Sequence, residues 1–300
     1  MPVPRSLFPA LVALLLLAGC FSTEPTPLGV VEVETQGDIS IEEGLEADSF
    51  ADARTSSITF DRFLVHVGAA GLGETSATAI PLAGAPYVLV DHALPGSKIV
   101  VTAPDVVARR WGGFTFTVNP ARVSSTLGGG VTEEDRRAMQ QKGASVRVKG
   151  VAKSAGAMKS FDWWFLQVLS YGDCTVELPD SGSATGLLVR PAYRNEVPIV
   201  FSGRPLFDPI LGAGARSGRH LRFDAFADAD VDTNGVITES ELRRVKLSDL
   251  RLGPGLEAGS YAPEPDAERP IETLWDFVSE QVRHTVRLGG RGLCTSNRFQ

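Results

Sequence analysis

The chain has 300 residues, with 29 Lys and Arg against 36 Asp and Glu and a formal net charge of −7. An acidic balance without a basic run argues against nucleic acid as a partner and against electrostatic attachment to a membrane. The length allows one large domain or two modest ones.

The first twenty residues read as a targeting segment rather than part of the fold. Arg5 supplies a positive start, and Leu7 to Leu17 is an apolar stretch of about ten residues, too short to span a bilayer. It runs into Leu17-Ala18-Gly19-Cys20, which resembles the lipobox of bacterial lipoproteins. The resemblance implies a diacylglycerol on the Cys20 sulfur, removal of residues 1–19 as a signal peptide and acylation of the new amine. More than one acyl chain matters, because a single chain holds a protein only marginally at a membrane. The expected location is the cell envelope, lipid-anchored at the periplasmic face or the cell surface. The alternative is an ordinary cleaved signal in which Cys20 is incidental. Cleavage removes only Arg5 among the charged residues, leaving 28 basic against 36 acidic side chains.

Residues 20–29, with Pro25 and Pro27, read as a tether. Gly37 to Asp52 is acidic and poor in large apolar residues, so a loop is expected. From residue 30 to 203 the apolar period is mostly two. The runs are Ile58 to Val67, Tyr87 to Val90, Ile99 to Val101, Phe114 to Val118, Val146 to Lys149, Phe161 to Leu169, Leu187 to Val189 and Ile199 to Phe201. They are β-branched and aromatic and are separated by turn residues, which predicts an antiparallel β-sandwich-like domain. One helix interrupts it, opened by Thr132-Glu133-Glu134-Asp135 and running to Gln141.

Residues 204–300 form a second, helical region in a chain that is therefore α+β and mainly β. Short helices are expected over His220–Ala229, with Leu221, Phe223 and Phe226 as apolar contacts, and over Thr238–Val245. A Pro/Gly-rich loop covers Gly253–Pro270. A longer helix then starts at Pro270, carries Leu274, Trp275, Phe277, Val278, Val282 and Val286 on one stripe, and stops at Gly289-Gly290.

Export sets the redox setting. Besides Cys20 only Cys174 and Cys294 remain, and in an oxidising periplasm they are expected to pair as a disulfide. Two separate buried thiols are the alternative.

One motif carries chemistry. Asp230-Val231-Asp232-Thr233-Asn234-Gly235-Val236-Ile237-Thr238-Glu239-Ser240-Glu241 resembles an EF-hand calcium loop. Calcium takes six to eight oxygens, so Asp230, Asp232 and Asn234 at positions 1, 3 and 5 offer short oxygen-bearing side chains. Gly235 allows the sharp turn at position 6, which needs positive φ. Val236 offers its carbonyl, Ile237 faces inward, and Thr238 contributes a hydroxyl or holds a water. Glu241 is long enough to bind with both carboxylate oxygens. Asp228 and Glu239 lie off the ligand positions. No second loop is found, so the resemblance implies a weak site, about 10⁻⁴–10⁻³ M, that locks a segment rather than signals. The whole chain is also similar in layout to uncharacterised EF-hand-containing bacterial lipoproteins, a likeness that implies no activity.

Other signals are weaker. His66, His92, His220 and His284 lack metal-ligand spacing. If they converge in space, the alternative is a periplasmic transition-metal (copper-like) or small-ligand binding protein. Trp163-Trp164-Phe165 reads as core rather than a ligand platform. No nucleophile elbow or phosphate loop occurs. The expectation is a non-enzymatic, calcium-binding envelope lipoprotein.

Overall fold

The computed structural model describes residues 26–84, 86–177, 183–212, 221–250, 260–261 and 270–298. The leader, Cys20, the first part of the tether, His220 and most of the Pro/Gly-rich loop lie outside the described residues. Strand makes up 45% of the structure and helix 20%, so the chain is α+β and mainly β, built on a curled sheet.

The principal strands are β1 (Leu28–Gly37), β2 (Thr55–Gly73), β3 (Val88–Asp91), β4 (Lys98–Val107), β5 (Gly113–Val118), β6 (Val146–Ser154), β7 (Ala157–Phe165), β8 (Leu169–Gly172), β9 (Arg194–Phe201), β10 (Val236–Ile237), β11 (Val286–Leu288) and β12 (Thr295–Arg298). The helices used below are α1 (Glu133–Lys142), α2 (Asp224–Asp228), α3 (Glu239–Leu242) and α4 (Leu274–Gln281). The larger sheet runs β10-β7-β6-β2-β5-β8-β12, with β3 also paired to β2. The smaller sheet runs β11-β9-β1-β4.

Strand β2 explains the curl. Its 19 residues pair with β6 over the first half and with β5 over the last. Within the β5 pairing the register shifts from Gly68 to Gly71, where Ala69 takes φ 50°. An extra residue there bends a strand and raises its twist.

The expected antiparallel pairing holds for most ladders but not all. Strands β1 and β9 run parallel, with Val30 opposite Arg194 through Gly37 opposite Phe201. A parallel pair needs a long crossover rather than a hairpin, and more than 150 residues separate these two strands, so no local turn signal marks their partnership.

Alternation along β7 sorts its aromatic residues. Phe161, Trp163 and Phe165 are at most 1% exposed. Trp164 points the other way, with the Arg147 guanidinium 4.2 Å over its ring. Residues from both sheets and from both sides of position 203 share one hydrophobic cluster, among them Val33, Phe63, Trp163, Ile199, Phe226 and Val278. The change in composition after residue 203 thus marks a shift to shorter elements within a common core.

Local sequence sets several element ends. Helix α1 begins on the Thr132–Asp135 capping box and stops at Gly143 with φ 64°. The stretch expected as loop after Gly37 contains a helical turn, Ile39–Glu42, capped by Asp38 and burying Ser40 and Ile41. The late helix is shorter than expected. Helix α4 is capped by Thr273 rather than opened at Pro270, gives way to a tight turn over Val282–His284, and is followed by β11. Val286 therefore belongs to a strand. Pairing of β11 with Ile199–Phe201 of β9 overrides helical periodicity there.

Cys174 and Cys294 form a disulfide, with an Sγ–Sγ distance of 2.11 Å. It lies beside the last pairing of β8 with β12, Gly172 opposite Thr295. No helix among the described residues is long and apolar enough to cross a membrane.

Candidate metal centre

Helix α2 ends at Asp228, and the Asp230–Glu241 loop leads into α3. Both helices are short, five and four residues. They are fixed from below by Phe223, Phe226 and Leu242, each at most 1% exposed. Phe226 packs 5.6 Å from Trp163 of β7.

The loop turns at Gly235, whose φ of +80° suits glycine alone at no steric cost. Thr233 also lies in the left-handed region, at φ 58°. Short polar side chains hold the turn. The backbone N–H of Asn234 donates to Asp232 Oδ1 at 3.2 Å, and its Nδ2 donates to Oδ2 at 2.9 Å. The N–H of Val236 donates to Asn234 Oδ1 at 2.7 Å. The two bonds from backbone N–H are those that Asx side chains make with backbone two residues on.

The second half of the loop is stitched to the larger sheet. Strand β10 pairs parallel with Ser160 and Phe161 of β7. The N–H and hydroxyl of Ser160 both donate to the Gly235 carbonyl, at 2.8 and 3.1 Å. Trp163 Nε1 donates to the Ile237 carbonyl at 3.0 Å, and Ile237 is fully buried.

Three of the expected ligands come together. Carboxylate oxygens of Asp230, Asp232 and Glu241 lie within 4.8 Å of one another. No other such group of His, Cys, Asp and Glu occurs among the described residues. Asp232 is exposed, while Asp230 and Glu241 are buried. The side chain of Asp230 is completely shielded from solvent. Its Oδ2 accepts from Gly235 N–H at 3.0 Å and from the Lys159 ammonium. Its Oδ1 is buried and has no partner. A buried carboxylate oxygen without a partner is costly, and here it sits in a group of hard oxygen donors. That donor set suits calcium. The Lys159 hydrogen bond, aided by the Gly235 N–H, holds the Asp230 carboxyl below the usual carboxylate range despite burial.

Glu241 Oε2 accepts from the N–H of Thr238 at 2.8 Å and from its hydroxyl at 2.7 Å, while Glu241 N–H returns to Thr238 Oγ1 at 3.3 Å. Thr238 thus caps α3 through Glu241. The flanking acids are engaged elsewhere: Asp228 takes both ends of Arg54 at 2.9 Å, and Glu239 pairs with Arg243.

No protein-family model, curated protein or solved structure matches this chain. The chemistry of the loop is therefore read from its own residues.

The histidines sit apart in different surroundings. His66 lies 2.7 Å from the Asn119 carbonyl and 2.7 Å from Ser125 Oγ, stacked on Tyr87. His92 is buried between Thr35 Oγ1 at 3.1 Å and the Phe201 ring at 4.7 Å. Burial pushes His92 down to about 3 and His284 to about 4. None of the three joins a metal-ligating group among the described residues, and His220 lies outside them.

Lys159, Ser160 and Trp163 are contacts of the loop that the sequence did not point to, Trp163 being read there only as core. They lie about seventy positions before the loop, and only the pairing of β10 with β7 brings them to it.

Proposed function

We propose that the chain is a calcium-binding, non-enzymatic envelope lipoprotein in which one EF-hand-like helix-loop-helix stabilises the fold. The observation that carries this reading is Asp230 Oδ1, a buried and unpartnered carboxylate oxygen in a cluster with Asp232 and Glu241. Asp230, Asp232 and Glu241 would supply carboxylate oxygens, Asn234 and Thr238 neutral side-chain oxygens, and Val236 its carbonyl. Because the loop is tied to β7 on one side and caps α3 on the other, an ion there would lock the short helices onto the sheet. The β-sandwich-like description of the body belongs to the same proposal. So does the anchor: acylation at Cys20 would hold the protein at a membrane through the tether, a reading supported by Leu17-Ala18-Gly19-Cys20.

Isothermal calorimetry with calcium chloride tests the site. One ion per chain is expected, with a dissociation constant of about 10⁻⁴–10⁻³ M, and Glu241→Gln is expected to lose the heat of binding. A wild-type titration without binding heat at millimolar calcium counts against the proposal. For the anchor, labelled palmitate is expected in the wild type and not in Cys20→Ser; label that persists in the variant rules out Cys20.

A further inference from the structure

Lys159 approaches the acidic cluster from outside the loop. It stands on β7, and its ammonium donates to Asp230 Oδ2. The pair is shielded, with the lysine side chain 15% exposed and the aspartate side chain 0%, so salt screens it little. Strand and loop are also joined to each other beside it. Ser160 holds the Gly235 carbonyl and Trp163 holds that of Ile237, on either side of the same ladder. Arg54, which lines the same surface cleft as Lys159 and Asp230, is balanced by a two-pronged contact with Asp228.

We infer that Lys159 is a resident cation of the loop, set by the sheet, which lowers the affinity of the carboxylate cluster for a divalent metal ion. The inference rests on the calcium reading and adds what tunes it. Three carboxylates in the cluster carry three negative charges, and Lys159 offsets one of them before any ion arrives. A like charge fixed beside the same carboxylate opposes a metal ion through an interior that screens it poorly. Orientation of Asp230 does not depend on the lysine, because Gly235 N–H also holds Oδ2. Removing the ammonium therefore leaves Oδ1 directed as before and removes the opposing charge. It also leaves Asp230 buried without its cation, so the ion-free fold loses stability while the ion-bound fold keeps it.

The test compares calcium chloride titrations of wild type, Lys159→Met, Lys159→Gln and Lys159→Arg by calorimetry, with the fold of each checked by circular dichroism. Glutamine keeps an N–H donor for Oδ2 without the charge, and serves if methionine does not fold. The neutral variants are expected to bind calcium about tenfold more tightly or better, and the arginine variant to stay close to wild type. Neutral variants that bind no more tightly than wild type overturn the inference and leave the calcium site standing. Absence of binding in wild type and neutral variants alike overturns the calcium reading itself, and this inference with it. Binding in the neutral variants alone supports the inference while removing calcium from the wild-type protein's role.

Discussion

Asp230 divides its two oxygens between two environments. One is bound by a backbone N–H and an ammonium, and the other has no protein partner. The motif positions made Asp230, Asp232 and Glu241 legible as a cluster, since spacing within a twelve-residue loop is local information. Lys159 was not legible, because a lysine on a strand normally reads as a solvated face. His92 makes a separate case at this scale. Its folded pKa of about 3 lies below the ordinary value of 6.5, and the cause is burial. As pH falls below 6.5 the unfolded chain takes up a proton that the folded chain refuses until pH nears 3. The stability it contributes is thus present above 6.5 and lost progressively in that window, at about 1.4 kcal/mol per pH unit. His92→Phe preserves the stacking on Phe201 and removes the titration. In urea melts the stability lost by wild type between pH 7 and 5 is expected to shrink by about 2 kcal/mol in the variant. An unchanged difference would show that His92 takes its proton in the folded state as readily as in the unfolded one.

Elements were readable where their cause is short-range. The capping box at Thr132 and the alternation of Phe161, Trp163 and Phe165 are local, and both appear as the sequence suggests, while α1 runs one residue past the expected Gln141 to Lys142. The end of α4 and the strand β11 were not readable, since Val282 and Val286 fit a helical stripe equally well and only the edge of β9 decides. The parallel alignment of β1 with β9 is likewise a matter of distant partners. The disulfide was legible by elimination, and it joins two distant elements: Cys174 follows β8 and Cys294 precedes β12, 120 residues apart. Closing so long a loop restricts the unfolded chain, a term of about 4–5 kcal/mol at most in the chain-entropy model. Reduction is therefore expected to lower the stability of the folded protein markedly and to release β12 first, seen as faster amide exchange over Thr295–Arg298. Equal stability with and without reductant would show that the β8–β12 ladder holds without its staple.

For the whole molecule, the sheet stands beside the acidic loop where another loop of its own kind was absent from the sequence. Strand β7 supplies a ladder to β10, two carbonyl contacts and a cation. The loop is thus continuous with the principal core, and any ion it takes is coupled to the stability of the entire fold rather than to a detached module. A ligand that binds only the folded state stabilises it by mass action, about 2.7 kcal/mol at a hundredfold excess over the dissociation constant. With a weak site, millimolar calcium reaches only part of that. Magnesium, which demands tighter octahedral geometry, is expected to do less.

The most direct measurement is the thermal melt of the wild-type protein in EDTA and in several millimolar calcium, beside the same pair for Glu241→Gln. Calcium is expected to raise the wild-type melting temperature by a few degrees and to leave the variant nearly unmoved. Wild-type melts that coincide in EDTA and calcium would contradict the account, and would make Asp230–Glu241 a turn held by its own side chains and by the contacts from β7.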